Sequence, residues 1–380
     1  MASDKTIYKV YLNNCLDSYD HSFSFSLNKK PVMIALSDSS AVITVERTTK
    51  YKPEDIADGK HDLFSETVKK VMLVHLLLYS KCIDIQSIRV VIKNKAFDFS
   101  VEDHNMRYVS TLIHNRVQPD FNESWQDKTL IETILGTNKT KSDSRMSALY
   151  AFILSRSRKA VIERFVDLWI SFNGMYSYFS SLYEKKTTQE KAQLERFITQ
   201  TGEGNTKIEK SFSDRIARKV TEYLKYINVD TINYEWLNGN EGQNFSNELI
   251  RQIKLEISTI EDEYKKQNEE LNDKLKSASN YEKAKIQKSM QSNVTKIGNL
   301  APYKTYSNSA YIYLMVEYAY YFRCKFIHAN EVLPLFTYND DHIIHCIALV
   351  NRLLDNYIDN NLYKWFSPRY VNETLKPLAQ

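Results

Sequence analysis

Residues 147–183 read SALYAFILSRSRKAVIERFVDLWISFNGMYSYFSSLY, and this stretch decides the class of the fold. Its apolar side chains recur at steps of three and four residues, from Leu149 through Phe165 and Leu168 to Phe179. This spacing places them on one face of a helix, so the stretch predicts a long helix or a helix pair that packs into a core. The chain has only 8 Gly and 7 Pro, which also favours long helices.

Two later segments are predicted to be helical as well. Residues 245–297 show the same steps on both sides of a short polar break at 277–280, which predicts a protruding antiparallel helical hairpin. Further helices are predicted at 309–328 and from residue 342 to about 364. Residues 145–380 are therefore predicted to form a mostly α-helical domain.

The N-terminal part has a different pattern. Apolar, β-branched and aromatic residues form five short runs, at residues 7–12, 32–36, 41–45, 88–92 and 96–99. These runs are typical of strands, whereas residues 64–80 show the spacing of a helix face. Residues 1–140 are therefore predicted to be a mixed α/β domain, and the fold class of the whole chain is α+β. No glycine-rich phosphate loop of either common kind occurs in the N-terminal domain.

The bulk composition is typical of a two-domain cytoplasmic protein. A chain of 380 residues with 43% apolar content can fill two cores. No apolar run reaches the roughly 18 residues that cross a bilayer, and the first twenty residues contain no secretory signal. The four cysteines are far apart and form no CxxC pair, which favours reduced thiols over a disulfide framework or a zinc site. A net charge of +4 permits contact with nucleic acid without requiring it.

The candidate chemical centre is Arg323 with His328, at the end of the aromatic helix predicted at 309–328. On a regular helix a separation of five residues corresponds to a rotation of about 140°, so the two side chains would not share a face. Either the helix breaks between them, or each side chain meets a partner across a subunit interface. A two-fold axis would bring two such pairs together.

This segment resembles the Arg-x4-His motif of the HEPN ribonuclease superfamily, and it is most similar to the Apea-like, abortive-infection branch. A second match is Glu163–Asn173, which is similar to the aromatic Leu-Trp helix of that branch. The resemblance implies that this helix, with Trp169, packs against the helix that carries the motif. The resemblance covers about residues 147–365, with the hairpin at 245–297 as an insertion, and the N-terminal domain has no part in it. The sequence departs from the family pattern at Cys324, where a polar residue is usual, and at Ala329, where glycine is usual.

The resemblance implies a metal-independent endoribonuclease that acts in antiviral defence or as a toxin. Its composite site would lie at a homodimer interface, with one Arg/His pair from each protomer facing the other. RNA, tRNA included, is the implied substrate, and neither a cofactor nor a metal is needed. Lys325 and Asn330 are candidates for contacts to phosphate or to the 2′-hydroxyl group.

These residue types suit RNA cleavage. The ordinary pKa of histidine is about 6.5, so His328 can act as a base or an acid near neutral pH. Arginine stays cationic and offers a planar fork to phosphate oxygens as negative charge accumulates on them. The separate N-terminal domain, which has no catalytic signature, is expected to sense a phage-derived trigger or a protein partner.

Competing interpretations remain open at the level of sequence. The helical domain could be a non-catalytic dimerisation scaffold with the hairpin as its partner arm, and Cys324 favours this alternative. His328 could hydrogen-bond a helix end while Arg323 pairs with a carboxylate such as Glu317 or Glu331. A metal-dependent nuclease could use residues 340–345, read as DDHIIH, although no further ligands cluster there. The basic residues of 156–164 are expected to form a solvated face rather than phosphate contacts.

Overall fold

A computed structural model describes residues 5–13, 18–27, 29–100, 121–137, 144–183, 187–200, 213–304, 313–327 and 341–379. The fold is α+β, with a six-stranded antiparallel sheet followed by helices, as predicted. The chain divides into two compact units: unit 1 has residues 1–181 and 358–377, and unit 2 has residues 182–357 and 378–380. This division falls at a different place from the boundary proposed near residue 140, and a separate domain at 1–140 stays a prediction.

The sheet of unit 1 has the strand order β2-β3-β4-β1-β5-β6. Its strands are β1 (Thr6–Leu12), β2 (His21–Leu27), β3 (Lys30–Leu36), β4 (Ala41–Arg47), β5 (Ser87–Ile92) and β6 (Lys95–Ser100). Alternate residues of β1 to β4 are buried, as Tyr8, Val10 and Leu12 are in β1, whereas the residues between them are mostly exposed. One face of the sheet therefore belongs to the core.

The two strand pairs predicted from the sequence are confirmed. Strands β3 and β4 pair across a short polar turn, and β5 pairs with β6 across Lys93 and Asn94. Both of these turn residues have positive φ angles, 48° and 66°, as a two-residue hairpin turn with the twist of the strands requires. The sequence analysis missed β2, although Phe23, Phe25 and Leu27 alternate there with serines, the pattern of a half-buried strand.

Within the described part of residues 1–181, unit 1 has the helices α1 (Pro53–Ala57), α2 (Asp62–Tyr79), α3 (Lys128–Gly136), α4 (Arg145–Ser157) and α5 (Val161–Ser181), and a 3₁₀-helical turn at Glu123–Gln126. Helix α2 confirms the helix predicted at 64–80. Its residues Phe64, Val68 and Val71 share the core of the sheet with Ile131 and Leu135 of α3. These two helices therefore contribute to the core that covers the apolar face of the sheet.

Helices α4 and α5 are the helix pair predicted from residues 147–183. They approach closely at Gly174, where an added Cβ would lie only 2.7 Å from the Cβ of Ala148. A glycine is therefore needed at this crossing. On α5 the indole of Trp169 is buried and lies against the rings of Phe165 and Phe172. Aromatic side chains thus fill the core of the pair.

Lys70 of α2 is a buried cation at the end of α3. Its side chain is 3% exposed, and its Nζ donates to the carbonyl oxygens of Leu135 and Thr137. These carbonyls lie at the C-terminal end of α3, where a positive charge is favourable. Burial nevertheless lowers the pKa of Lys70 to about 8.

This pKa predicts a pH-dependent stability. Between about pH 8 and the ordinary lysine value of 10.5, the unfolded chain binds a proton that the folded chain has released. The contribution of Lys70 to the free energy of unfolding therefore rises with pH across this window and is smallest below it. We expect urea denaturation at about pH 7.5 and about pH 10 to show this rise in the wild type relative to Lys70→Met. The matched control is Lys69→Met, since Lys69 is an exposed neighbour, and a rise of equal size in Lys70→Met would contradict the assignment.

Unit 2 is helical. Its helices are α6 (Glu190–Gln200), α7 (Ser213–Leu224), α8 (Tyr234–Asn238), α9 (Asn240–Ser277), α10 (Asn280–Lys304), α11 (Ala319–Ile327) and α12 (Asp341–Asn361), whose last four residues belong to unit 1. A π-helical turn at Tyr313–Tyr318 precedes α11.

Short helical turns follow α12, and nearly all of their residues belong to unit 1. They are Leu362–Phe366, α13 (Pro368–Tyr370), a π-helical turn at Val371–Leu375 and α14 (Lys376–Leu378). No helix in the described ranges has the length and apolar character that crossing a membrane demands.

Helices α9 and α10 form the predicted hairpin. Asn293 Nδ2 of α10 donates to Asn268 Oδ1 of α9 over 3.0 Å, and the Lys296 amine lies 5.2 Å from the centre of the Tyr264 ring. The middle of α9 is held by α7, where the guanidinium of Arg215 bonds both Glu256 and Glu263. The carboxylate partners of Arg215 raise its pKa. The first helix of the hairpin is therefore joined to α7 by two ion pairs of one arginine.

Candidate functional site

Arg323 lies on α11, one turn before the end of the helix at Ile327. The π-helical turn at Tyr313–Tyr318 runs directly into α11, so the helix predicted at 309–328 changes its winding before it reaches the arginine. Single π-helical turns are rare and are frequently found at functional sites. A second one occurs at Val371–Leu375, so this feature alone does not define a site.

The guanidinium of Arg323 is held inside unit 2. Its Nη2 forms an ion pair with Oε2 of Glu190 on α6, and the two side chains are 15% and 22% exposed. The guanidinium carbon lies 5.9 Å from the centre of the Tyr320 ring, one turn earlier on α11. A planar cation with a fixed carboxylate partner has a defined orientation, because the fork geometry of arginine restricts it.

Tyr320 and Cys324 lie near Arg323 on α11. Burial raises the pKa of the Tyr320 hydroxyl, and the neighbouring Cys324 thiol adds to the effect. The phenol therefore stays neutral near neutral pH and can donate a hydrogen bond without adding a negative charge beside Arg323. Cys324 is a free cysteine and is half-buried.

Of the four predicted site residues, the structure describes both the backbone and the side chain of Arg323 alone. Lys325 lies in α11, and nothing is described of its side chain. His328 and Asn330 lie outside the described residues, so the pairing of Arg323 with His328 stays a prediction. The Trp169 helix belongs to unit 1 and Arg323 to unit 2, and their predicted packing also stays a prediction.

The alternative in which Arg323 pairs with a carboxylate has a concrete partner in the structure. That partner is Glu190 on α6, a residue not named from the sequence, and Glu331 lies outside the described residues. Glu190 precedes Arg323 by 133 positions, and no local pattern connects them. A paired arginine can still bind phosphate, provided that the carboxylate leaves some of its five N–H donors available.

The metal interpretation of residues 340–345 includes His345, which lies on α12. Its Nε2 lies 2.8 Å from the carbonyl oxygen of Ile227, so a metal could bind this side chain only at Nδ1. Within the described ranges, no three His, Cys, Asp or Glu side chains are grouped so that they could hold a metal ion.

The expectation of a solvated basic face at 156–164 is wrong for Arg156. Its side chain is only 10% exposed, forms an ion pair with Asp359 at 3.0 Å, and stacks on the Phe152 ring. Arg158 forms an ion pair with Asp167 at 2.8 Å, and burial raises the pKa of that carboxyl although the arginine lowers it. Both arginines hold the fold of unit 1 together.

No family model matches the chain, and comparison with curated proteins and with solved structures likewise gives no match.

Proposed function

We propose that this chain is a metal-independent endoribonuclease with Arg323 and His328 as its catalytic residues. The observation that supports the proposal is the state of Arg323. It is a largely buried cation whose orientation Glu190 fixes, and it stands five positions before His328. A preoriented cation is what stabilisation of a developing phosphorane requires, because no reorganisation is then needed during the reaction.

The chemistry divides between the two residues. His328 removes the proton of the 2′-hydroxyl group or protonates the leaving 5′-oxygen, and two copies in a dimer could supply both roles. Arg323 offers N–H donors to the non-bridging phosphate oxygens as charge accumulates on them. Lys325 and Asn330 are proposed to contact the phosphate or the 2′-hydroxyl group. The substrate is single-stranded RNA, in which bases and sugar are accessible, tRNA loops included.

The proposal includes a homodimer and a role in defence. Since Arg323 and His328 would not share a face of a regular helix, a two-fold axis is proposed to bring the pairs of two protomers together. An RNase of low specificity harms its own host, so it needs restraint. The N-terminal part is proposed to relieve this restraint on sensing a phage-derived trigger or a protein partner.

Toxicity on expression tests the proposal in cells. We expect wild-type protein to slow the growth of bacterial cells and His328→Ala to abolish this effect, since removal of a general acid–base group costs about 10²–10⁴-fold in rate. Growth curves and protein levels of both strains give the measurement. Equal toxicity of both proteins at equal levels would contradict a role for His328. If the wild type is harmless, co-expressed candidate triggers provide the next comparison.

The second candidate function is a non-catalytic dimerisation scaffold. The observation that favours it is the hairpin of α9 and α10, a long arm in whose seam the buried Asn293 donates to the half-buried Asn268. Polar pairs of this kind fix the register of coiled coils. The Arg323–Glu190 ion pair would then be structural only. Harmless overexpression of a protein that forms stable dimers, with and without triggers, would favour the scaffold.

A further inference from the structure

A cleft of about 450 Å³ lies in unit 1, between the start of α3 and the turns that follow α12. Its volume is within the range of small-molecule pockets, about 300–1,000 Å³. Asp127, Thr129 and Thr133 line one wall, and Tyr363, Lys364 and Tyr370 line the other. Neither wall includes a residue of the proposed catalytic site.

Hydrogen bonds hold both walls in place. Asp127 Oδ1 accepts from the main-chain N–H of Leu130 at 2.8 Å, which caps the N-terminus of α3. On the opposite wall Tyr363 rests edge-on against the buried Trp125, with 5.9 Å between the ring centres. The Trp125 indole N–H in turn donates to Asp359 Oδ1 at 2.8 Å. Because the cleft is preformed, a ligand would not have to order its walls, and this lowers the cost of binding.

The side chains of Tyr363 and Tyr370 could stack on a planar ring of a ligand. Both are half-buried and line the same wall of the cleft. Burial raises the pKa of Tyr370, and the nearby Tyr363 adds to the effect, so the Tyr370 hydroxyl is neutral near neutral pH. Aromatic side chains bind flat heterocycles by stacking, and every nucleobase has the necessary face.

Polar groups on the two walls differ in charge. Lys364 supplies a cation for an anionic group of the ligand, and its Nζ also donates to Asn361 Oδ1 at 3.4 Å. Asp127 Oδ1 accepts the capping hydrogen bond from Leu130 N–H. The carboxylate can accept further hydrogen bonds, for example from an amino group of the ligand. The hydroxyls of Thr129 and Thr133 add further polar groups beside it. A ligand with an anion at one end and an amine on a flat ring at the other matches this distribution.

We propose that this cleft binds an amino-substituted purine nucleotide, with the phosphate at Lys364, the base beside Tyr363 and Tyr370, and the exocyclic amine at Asp127. The nucleotide could be free in solution or part of an RNA strand, because the recognised groups are the same. Binding at this cleft would add a ligand site to unit 1 that does not depend on the ribonuclease proposal.

Isothermal titration of the full chain with AMP tests the assignment. We expect a Kd for AMP below about 1 mM, with adenosine and IMP each binding about tenfold more weakly, since one lacks the phosphate and the other lacks the amine. Lys364→Met should weaken AMP by about tenfold and leave adenosine unchanged. Asp127→Asn should remove the preference for AMP over IMP, and it should fold normally because asparagine caps helices as well as aspartate.

The control is Lys376→Met, which removes an exposed lysine near the C-terminus and should leave every affinity unchanged. A short single-stranded oligoadenylate that binds more tightly than AMP, and loses this advantage in Lys364→Met, would assign the cleft to a nucleotide within RNA, and weaker binding would assign it to the free nucleotide. Absence of AMP binding to the wild type would overturn the proposal. Equal affinities of the wild type and Lys364→Met for AMP would overturn it as well.

Discussion

Replacement of Asp359 by alanine is expected to lower the free energy of unfolding of unit 1 by about 3–5 kcal/mol. Asp359 accepts from the indole N–H of Trp125 through Oδ1 at 2.8 Å and forms an ion pair with Arg156 through Oδ2 at 3.0 Å. The Arg156 and Asp359 side chains are 10% and 15% exposed, so water cannot replace the lost partner fully. The variant would remove the Asp359 carboxylate from a largely buried guanidinium and leave a buried indole N–H donor without this acceptor.

Two comparisons separate this effect from a general loss of charge. Asp98→Ala removes an ion pair with Arg89 in which the side chains are 65% and 47% exposed, and it should cost less than about 1 kcal/mol. The double variant Arg156→Met/Asp359→Ala should be more stable than the sum of the single variants predicts, since no unpaired charge remains. Urea denaturation followed by tryptophan fluorescence gives the loss of unfolding free energy for Asp359→Ala, Arg156→Met, the double variant and Asp98→Ala. Equal losses for Asp359→Ala and Asp98→Ala would contradict the buried network.

Local periodicity was sufficient to predict many of the elements. The helices α2, α4, α5, α9 and α10 and the hairpins β3–β4 and β5–β6 all follow from spacing and turn residues. This works because a half-buried element must repeat its apolar residues with its own period. Strand β2 had the same signal, in alternating phenylalanine and serine, and was overlooked. Its place at the edge of the sheet could not be derived, since strand order depends on long-range pairing.

The contacts that fix the chemistry of individual arginines were not predictable in this way. Trp125 and Asp359 are 234 positions apart, and Glu190 and Arg323 are 133 apart. Contacts between residues so far apart in the sequence produce no periodic pattern, because each contact depends on how whole helices pack. For the same reason Arg156 was assigned to a solvated face, whereas the fold encloses it. The motif could single out Arg323, but only the structure supplies its carboxylate partner.

That carboxylate partner makes a clean test of catalysis possible. Arg323→Ala removes the guanidinium and the ion pair together, so a loss of activity could come from either. Glu190→Gln removes the same ion pair and keeps the guanidinium, and Arg323→Lys keeps a cation for Glu190 and loses the planar fork. If Arg323 acts on phosphate, Arg323→Lys should lose about 10²-fold or more in rate at near wild-type stability. Glu190→Gln should keep much more of the activity, because the amide oxygen of glutamine can still accept from the guanidinium and hold its orientation.

Incubation of purified wild type, Arg323→Lys, Glu190→Gln and His328→Ala with total RNA in the presence of EDTA tests the central claim most directly. Circular dichroism first shows that all four fold, and a candidate trigger is included if the wild type alone is inactive. We expect wild type and Glu190→Gln to cleave RNA, while Arg323→Lys and His328→Ala lose about 10²–10⁴-fold in rate. Equal cleavage by all four, or cleavage that EDTA abolishes, would contradict a metal-independent ribonuclease centred on Arg323 and His328.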